Sequence, residues 1–343
     1  MTEVKMSRKT GRVTIREVAE DAGVSVAAVS KVLRDAYGVS DNLRAKVRAS
    51  MDKLSYRPLA SARGMRGQTY ALGVVLGDIR NPFFADILAG VNAALERTQY
   101  QVMLGISQAA VTIETALIES MIDRQMDGLI LIGTTEDQSQ LATFAQRKPL
   151  VTIGHHAAEN PDFDTVNNDD QLGGRLVVRH LIGNGYRNIA MLSLASTSST
   201  IIPEREMGYR REMIEQGAGA AVNIVRSGQT MREIQAAARR LLDGPNRPEA
   251  IFCWTDFIAL ELISVATELG LRIPDDLAIV GYDNTMFCDF AQNALTSVDQ
   301  SGEVLGLQSA RMLIERVRGR TEPAHFLVTP RVVARNSSGI RLS

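Results

Sequence analysis

The stretch from Val13 to Leu33, VTIREVAEDAGVSVAAVSKVL, constrains this chain most, because it spells two short capped helices around a glycine turn. Thr14 followed by Glu17 is a capping-box pattern, in which hydroxyl and carboxylate satisfy each other's free backbone donors and start a helix. Ile15, Val18 and Ala19 then share one face at helical spacing. Gly23 stands where a tight turn needs a left-handed residue. Ser25 is positioned to cap a second helix whose buried face is Val29, Val32 and Leu33. Together these features predict a helix-turn-helix, whose second helix enters the DNA major groove. Ser40 is positioned to cap a third helix, with Val47, Met51 and Leu54 on one face, and Tyr56-Arg57-Pro58 is expected to end it.

Charge agrees with that reading. The net charge of −1 conceals an asymmetry, since residues 1–66 carry 14 Lys/Arg against 7 Asp/Glu and the remainder is acidic. A basic first fifth coinciding with a helix-turn-helix is what phosphate binding asks of one module and not of the other. At 343 residues and 45% apolar content, the chain suits two or three domains with large cores. Cys253 and Cys288 lie in or near apolar runs, which reads as inert core thiols and a reducing compartment. No segment has the continuous apolar length of a membrane span and the N-terminus lacks a signal-peptide core, so a cytoplasmic protein without a membrane partner is expected. Residues 1–12 are expected to form a disordered tail, with Met1 and Met6 both open as the start.

From Tyr70 the texture changes. Apolar runs at 71–77, 127–133, 149–154, 188–194, 249–254 and 277–281 alternate with amphipathic stretches of helical length. Buried runs separated by helices indicate parallel sheets covered on both faces, and the series is too long for one ordinary sheet. The expectation is therefore an α/β core of two lobes.

The helix-turn-helix string closely resembles the headpiece of the lactose-repressor (LacI/GalR) family. The resemblance continues through NPFFADILAGV (81–91), HLIGNGYRNIAML (180–192), REMGYR (205–210), TDFIALELISVATELGLRIPDDLAIVGYDN (255–284), LTSVDQ (295–300) and PRVVARNSS (330–338). It implies an all-α headpiece at 13–58, a hinge helix or linker at 59–69, and a periplasmic-binding-protein-like core at 70–343. Lobe 1 would comprise about 70–167 and 298–327, and lobe 2 about 168–296 and 329–343. Crossings are expected near Val166 to Asp170, Leu295 to Asp299 and Phe326 to Arg331.

The resemblance also implies roles. Val26, Ala27, Lys31 and Arg34 would read bases, the first two against thymine methyls and Lys31 at a guanine. Thr14, Ser25, Ser30 and Ser40 would contact phosphates, although capping alone also explains Thr14, Ser25 and Ser40. In the hinge, Ala62, Arg63 and Met65 would approach the minor groove, with Met65 as the wedge. Leu59 and Gly64 depart from the family pattern, and Gly64 costs a hinge helix about 1 kcal/mol relative to alanine. In the cleft, Phe83, Phe84, Arg205, Trp254, Asp256 and Asp283 would bind a small, sugar-like effector, with Asp283 as the carboxylate partner of Arg205. Thr255 stands where the family usually has asparagine. Phe83 and Phe84 also suit helix packing, with one of the pair expected in the core, and Arg205 with Asp283 also suits a structural ion pair.

The function so implied is a transcriptional regulator, a repressor reading a palindromic operator as a homodimer through helices such as Asp86 to Arg97. The chain stops just after its last strand, without a heptad tail, which favours a dimer over a tetramer. Two other classes share parts of this pattern. A transport binding protein would have export and no headpiece, the reverse of this chain. An α/β enzyme such as a sugar kinase would need a phosphate-cradling loop, and neither that nor G-x-S-x-G occurs. No catalytic set, cofactor or metal is expected. His155-His156 would point in opposite directions at a strand end, with no further ligand at familiar spacing, although His155 would still reach the cleft mouth.

Overall fold

The computed structural model describes residues 13–33, 36–57, 68–156, 162–195, 199–243 and 246–341. The chain divides into two compact units, residues 1–69 and 70–343.

In the first unit, α1 (Ile15–Asp21), α2 (Val26–Leu33) and α3 (Asp41–Lys53) form a three-helix headpiece. Thr14 and Glu17 make the reciprocal capping box, and Gly23 takes φ 64° between α1 and α2. Val18, Ala19, Val29, Val32 and Val47 are buried together, with Ile15, Leu33, Met51 and Leu54 packed around them. Ser50 donates to the Val18 carbonyl (3.2 Å), and Lys53 pairs with Asp21 (2.6 Å), tying α3 to α1. α3 ends before the expected Pro58. Leu54 caps it, Ser55 turns left-handed at φ 51°, and Tyr56 N–H returns to the Met51 carbonyl (2.8 Å). That closure satisfies the last carbonyls without help from proline.

The second unit contains two six-stranded sheets. The first comprises β1 (Ala71–Leu76), β2 (Gln101–Ile106), β3 (Gly128–Ile132), β4 (Leu150–Ile153), β5 (Asp164–Asn168) and β11 (His325–Val328), in the order β11-β5-β4-β3-β1-β2. The second comprises β6 (Ile189–Leu194), β7 (Asn223–Ser227), β8 (Ala250–Cys253), β9 (Ala278–Asp283), β10 (Thr296–Asp299) and β12 (Arg331–Val333), in the order β12-β10-β9-β8-β6-β7. All pairings are parallel except β10 with β12, where the chain returns after its last crossing. α4 (Pro82–Leu95), α5 (Val111–Asp123), α6 (Gln138–Ala145) and α11 (Gly302–Val317) belong with the first sheet. α7 (Asp170–Gly183), α8 (Ile201–Glu215), α9 (Met231–Leu242) and α10 (Asp256–Glu268) belong with the second.

Each sheet has the doubly wound order in which the strand sequence reverses beside its first strand, and such sheets bind ligands beyond the carboxyl ends of their strands. The chain passes between sheets after Asn168, after Asp299 and after Val328. Apolar residues fill both faces of the inner strands: β3, β4, β8 and β9 are buried along their whole length. No helix among the described residues is long and apolar enough to cross a membrane.

Candidate functional site

The headpiece offers the N-terminal turn of α2. Ser25 accepts from Ala28 N–H (3.1 Å), which starts the helix and aims its free amides outward. The packing of Val29 and Val32 inward turns Val26 (40% exposed), Ala27 and Lys31 to the surface. Exposed short apolar residues followed one turn later by a lysine give a face suited to thymine methyls and a guanine edge. Thr14 and Ser40 cap α1 and α3 from exposed positions. Ser30 differs from its three companions, since it is buried on the inner side of α2. Arg34 and the hinge residues Ala62, Arg63 and Met65 lie outside the described residues, as does the 1–12 tail.

The core site is built around Arg205. It lies on α8, whose backbone meets that of α7 where Gly174 and Gly208 face each other; a Cβ on Gly208 would collide with the Gln171 carbonyl. This close approach brings Arg205 against the start of α7. Its Nε donates to Asp170 (2.7 Å), one terminal nitrogen donates to the Trp254 carbonyl (2.7 Å) and the other to Gln300 Oε1 (3.3 Å). The guanidinium carbon sits 3.7 Å from the centroid of the Tyr282 ring and 4.8 Å from that of Trp254. Burial works against the Asp170 charge, but Arg205 and His156 (2.9 Å from Asp170) outweigh it and hold the carboxyl below its usual range.

Asp283 is therefore not the carboxylate partner of Arg205; Asp170 is. The two acids are separated by where the chain leaves its sheets, Asp170 just after β5 and Asp283 at the end of β9. Asp283 instead accepts from Gln300 Nε2 (2.6 Å) and from Asn81 Nδ2 (3.2 Å), so it links lobe 2 to the start of α4 in lobe 1. Its backbone is left-handed at φ 112° and the next residue, Asn284, at 52°. Burial pushes its carboxyl up to about 8, opposed by Arg205 and reinforced by Asp256.

Asp256 serves lobe 2 itself. It accepts from Thr285 N–H (2.7 Å), Thr285 Oγ1 (3.0 Å), Cys288 Sγ (3.1 Å) and Ser297 Oγ (2.5 Å), and only 1% of it is exposed. Four donors occupy the carboxylate, which leaves little of it for a bound molecule. Thr255 is equally engaged, capping α10 through Ile258 N–H (3.3 Å). Phe83 and Phe84 are both half-buried, 6.2 Å apart and packed on the lobe 1 core, rather than one inside and one out.

The paired histidines do point apart. His156 reaches Asp170, whereas His155 is buried against Phe163 at 5.9 Å and so is withdrawn from the cleft mouth; burial lowers its imidazole below the usual range. Among the described residues no group of three His, Cys, Asp or Glu is arranged to hold a metal.

Asp170, Asn81, Asn168 and Gln300 complete the network, and sequence reasoning missed all four. Asn168 donates to the Gln300 carbonyl (3.0 Å), joining the first crossing to the second. Gln300 closes the string LTSVDQ, and Asp170 follows a capping Asp169, so each had an ordinary local explanation.

Comparison with known proteins agrees with this architecture. Residues 14–58 match the family described as bacterial regulatory proteins, lacI family, and residues 178–338 match a periplasmic binding protein-like domain. The HTH-type transcriptional repressor PurR of Photobacterium profundum is 31% identical, over 94% of this chain and 98% of its own. Catabolite control protein A of Priestia megaterium is 30% identical, over 93% and 96%. Among solved structures, a transcriptional regulator CelR–cellobiose complex superposes with TM-score 0.70 at 28% identity, covering 95% of this chain and 100% of that one. The lac repressor dimer bound to operator and an anti-inducer shares the fold, with TM-score 0.83 at 23% identity over 96% of this chain and all of that one. The chain thus belongs to the lacI family of bacterial regulatory proteins, and is a DNA-binding transcriptional regulator with a small-molecule-binding type of core.

Proposed function

We propose that the protein is a cytoplasmic repressor that reads a palindromic operator as a homodimer, and that a sugar-like molecule between the core lobes controls its DNA binding. The observation that carries this reading is the polar network that runs from Asn81 through Asp283, Gln300 and Arg205 to Asp170, touching both lobes and two crossings. A molecule that bonds to both sides of such a network changes the balance between open and closed lobes by its differential affinity for them. Arg205, Asp283, Trp254 and Phe83 are the proposed effector contacts, joined by Asn168 and Gln300. Val26, Ala27, Lys31 and Arg34 are the proposed base readers. Thr14, Ser25 and Ser40 are the proposed phosphate contacts, with Ala62, Arg63 and Met65 at the minor groove. The related CelR structure holds cellobiose, which supports a carbohydrate here.

The Asp86–Arg97 helix packs one face on its own chain and leaves Ala89, Asn92 and Ala93 exposed for the homodimer contact. Ile87, Gly90, Val91 and Leu95 of that helix are buried, with Gly90 against α11 of the same chain. Exposed apolar residues also gather on the edge strand β2, at Met103, Leu104 and Ile106, and after β9, at Met286, Phe287 and Phe290.

Selection of binding sites from a random duplex pool, with and without a small-molecule cell extract, tests the whole reading. A palindrome recovered without extract and lost with it is the expected result. A palindrome recovered only with extract would make the molecule a corepressor, and no enrichment in either arm would refute operator reading.

A further inference from the structure

The charge of the effector follows from the cleft. Arg205 is the cation at its centre, and it is spoken for: Asp170 takes its Nε, and the Tyr282 and Trp254 ring centroids lie 3.7 and 4.8 Å from its guanidinium carbon. The other ionisable side chains of the network are His156, already on Asp170, and Asp283. On the lobe 1 side, Asp86 adjoins Phe83 and Gly302, with Glu303 and Asp299 near enough to oppose its ionisation further. Arg80 is turned onto Asp78, with Nε and one terminal nitrogen both bonded to that carboxylate (3.1 and 2.8 Å), and Arg331 onto Asp299 (2.7 Å). The described cleft residues thus hold no cation without its own carboxylate.

Two polar atoms give the complementary half of the argument. Trp254 Nε1, a donor, and Asn168 Oδ1, an acceptor, are buried without a hydrogen-bond partner. Their residues flank the same Arg205–Gln300 pair, Trp254 through its carbonyl and Asn168 through its amide nitrogen. Hydroxyl groups suit both kinds of atom, since a hydroxyl donates and accepts. A phosphate dianion or a carboxylate only accepts, so it would satisfy the indole and repel Asn168 Oδ1. Burying an anion without a free counter-charge is costly, whereas hydroxyl groups exchange hydration for protein bonds at little cost.

We propose that the cleft takes an uncharged polyhydroxyl molecule and rejects its phosphorylated and carboxylated counterparts. This inference rests on the effector reading above and narrows it to one chemical class.

The test uses the full-length protein on its selected operator. A small-molecule extract is passed over an anion exchanger and then a cation exchanger, and each fraction is assayed for change in operator binding. The expected result is that the doubly unretained fraction carries the response. A response in the anion-retained or cation-retained fraction overturns the charge assignment while leaving effector control intact. No response in any fraction, with operator binding intact, overturns both. Defined probes give the second measurement: neutral hexoses, pentoses and cellobiose against hexose phosphates, pentose phosphates and uronates, scored by thermal shift and titration. A neutral probe that binds should lose about tenfold or more in affinity on phosphorylation. A phosphorylated or acidic probe that binds as tightly as its neutral parent refutes the proposal.

Discussion

Arg205 and Asp283 show how much a single residue's meaning depends on its neighbours. Both were legible as cleft residues, through REMGYR and GYDN, but their pairing was not, because Asp170 and Gln300 come from distant crossings and carry no motif of their own. Arg205→Ala would leave Asp170, whose side chain is 2% exposed, with only His156 and the Tyr282 hydroxyl. Breaking one side of a buried pair costs about 3–5 kcal/mol, so this variant should lose stability and not only the ligand response. Urea unfolding monitored by circular dichroism checks it; unchanged stability would mean that the pair contributes to binding alone. Asp283 gives a pH signature. Burial lifts its carboxyl to about 8 in the folded state, above the usual carboxylate value of about 4, so the folded state holds an extra proton between those values. Its stabilising effect is complete below the lower value and is lost as pH rises through the higher one. Asp283→Asn should therefore flatten the decline of thermal stability across that window, as seen by calorimetry at a series of pH values. An equally steep decline in the variant would assign it to other groups.

At the scale of the element, legibility followed burial. β1, β3, β4, β6, β8 and β9 were announced by continuous apolar runs because helices or strands cover them on every side. β2 and β7 escaped notice because they are edge strands with exposed positions, and β5, DTVNN, because its buried atoms are polar. The headpiece helices were the most readable elements, since caps and a glycine turn are local chemistry. Their exposed face carries its own prediction. Lys31→Ala, on the outer side of α2, should relax selectivity at one operator position by about 1–3 kcal/mol if the lysine reads a guanine. Competition binding with single-base operator variants measures this, and a uniform loss over all variants would make Lys31 a phosphate contact.

For the whole molecule, the exposed apolar residues on β2 and after β9 lie on separate lobes, which fits a symmetric partner that touches both. Leu104→Glu, at a position 48% exposed, should leave the fold stable and shift sedimentation from dimer to monomer, with operator affinity falling in parallel. A variant that remains dimeric would move the contact elsewhere. The interleaving of the lobes has a consequence during synthesis. β11, residues 325–328, completes the first sheet, and α11, residues 302–317, supplies Leu305, Leu313 and Ile314 to its core. Lobe 1 therefore begins to leave the ribosome early yet stays unfinished, with Ile87 and Val91 uncovered, until residues 302–328 have been made. The headpiece, whose helices end at Lys53, has no such wait. A nascent chain would carry a formed reading helix well before it owns a core able to silence or release it.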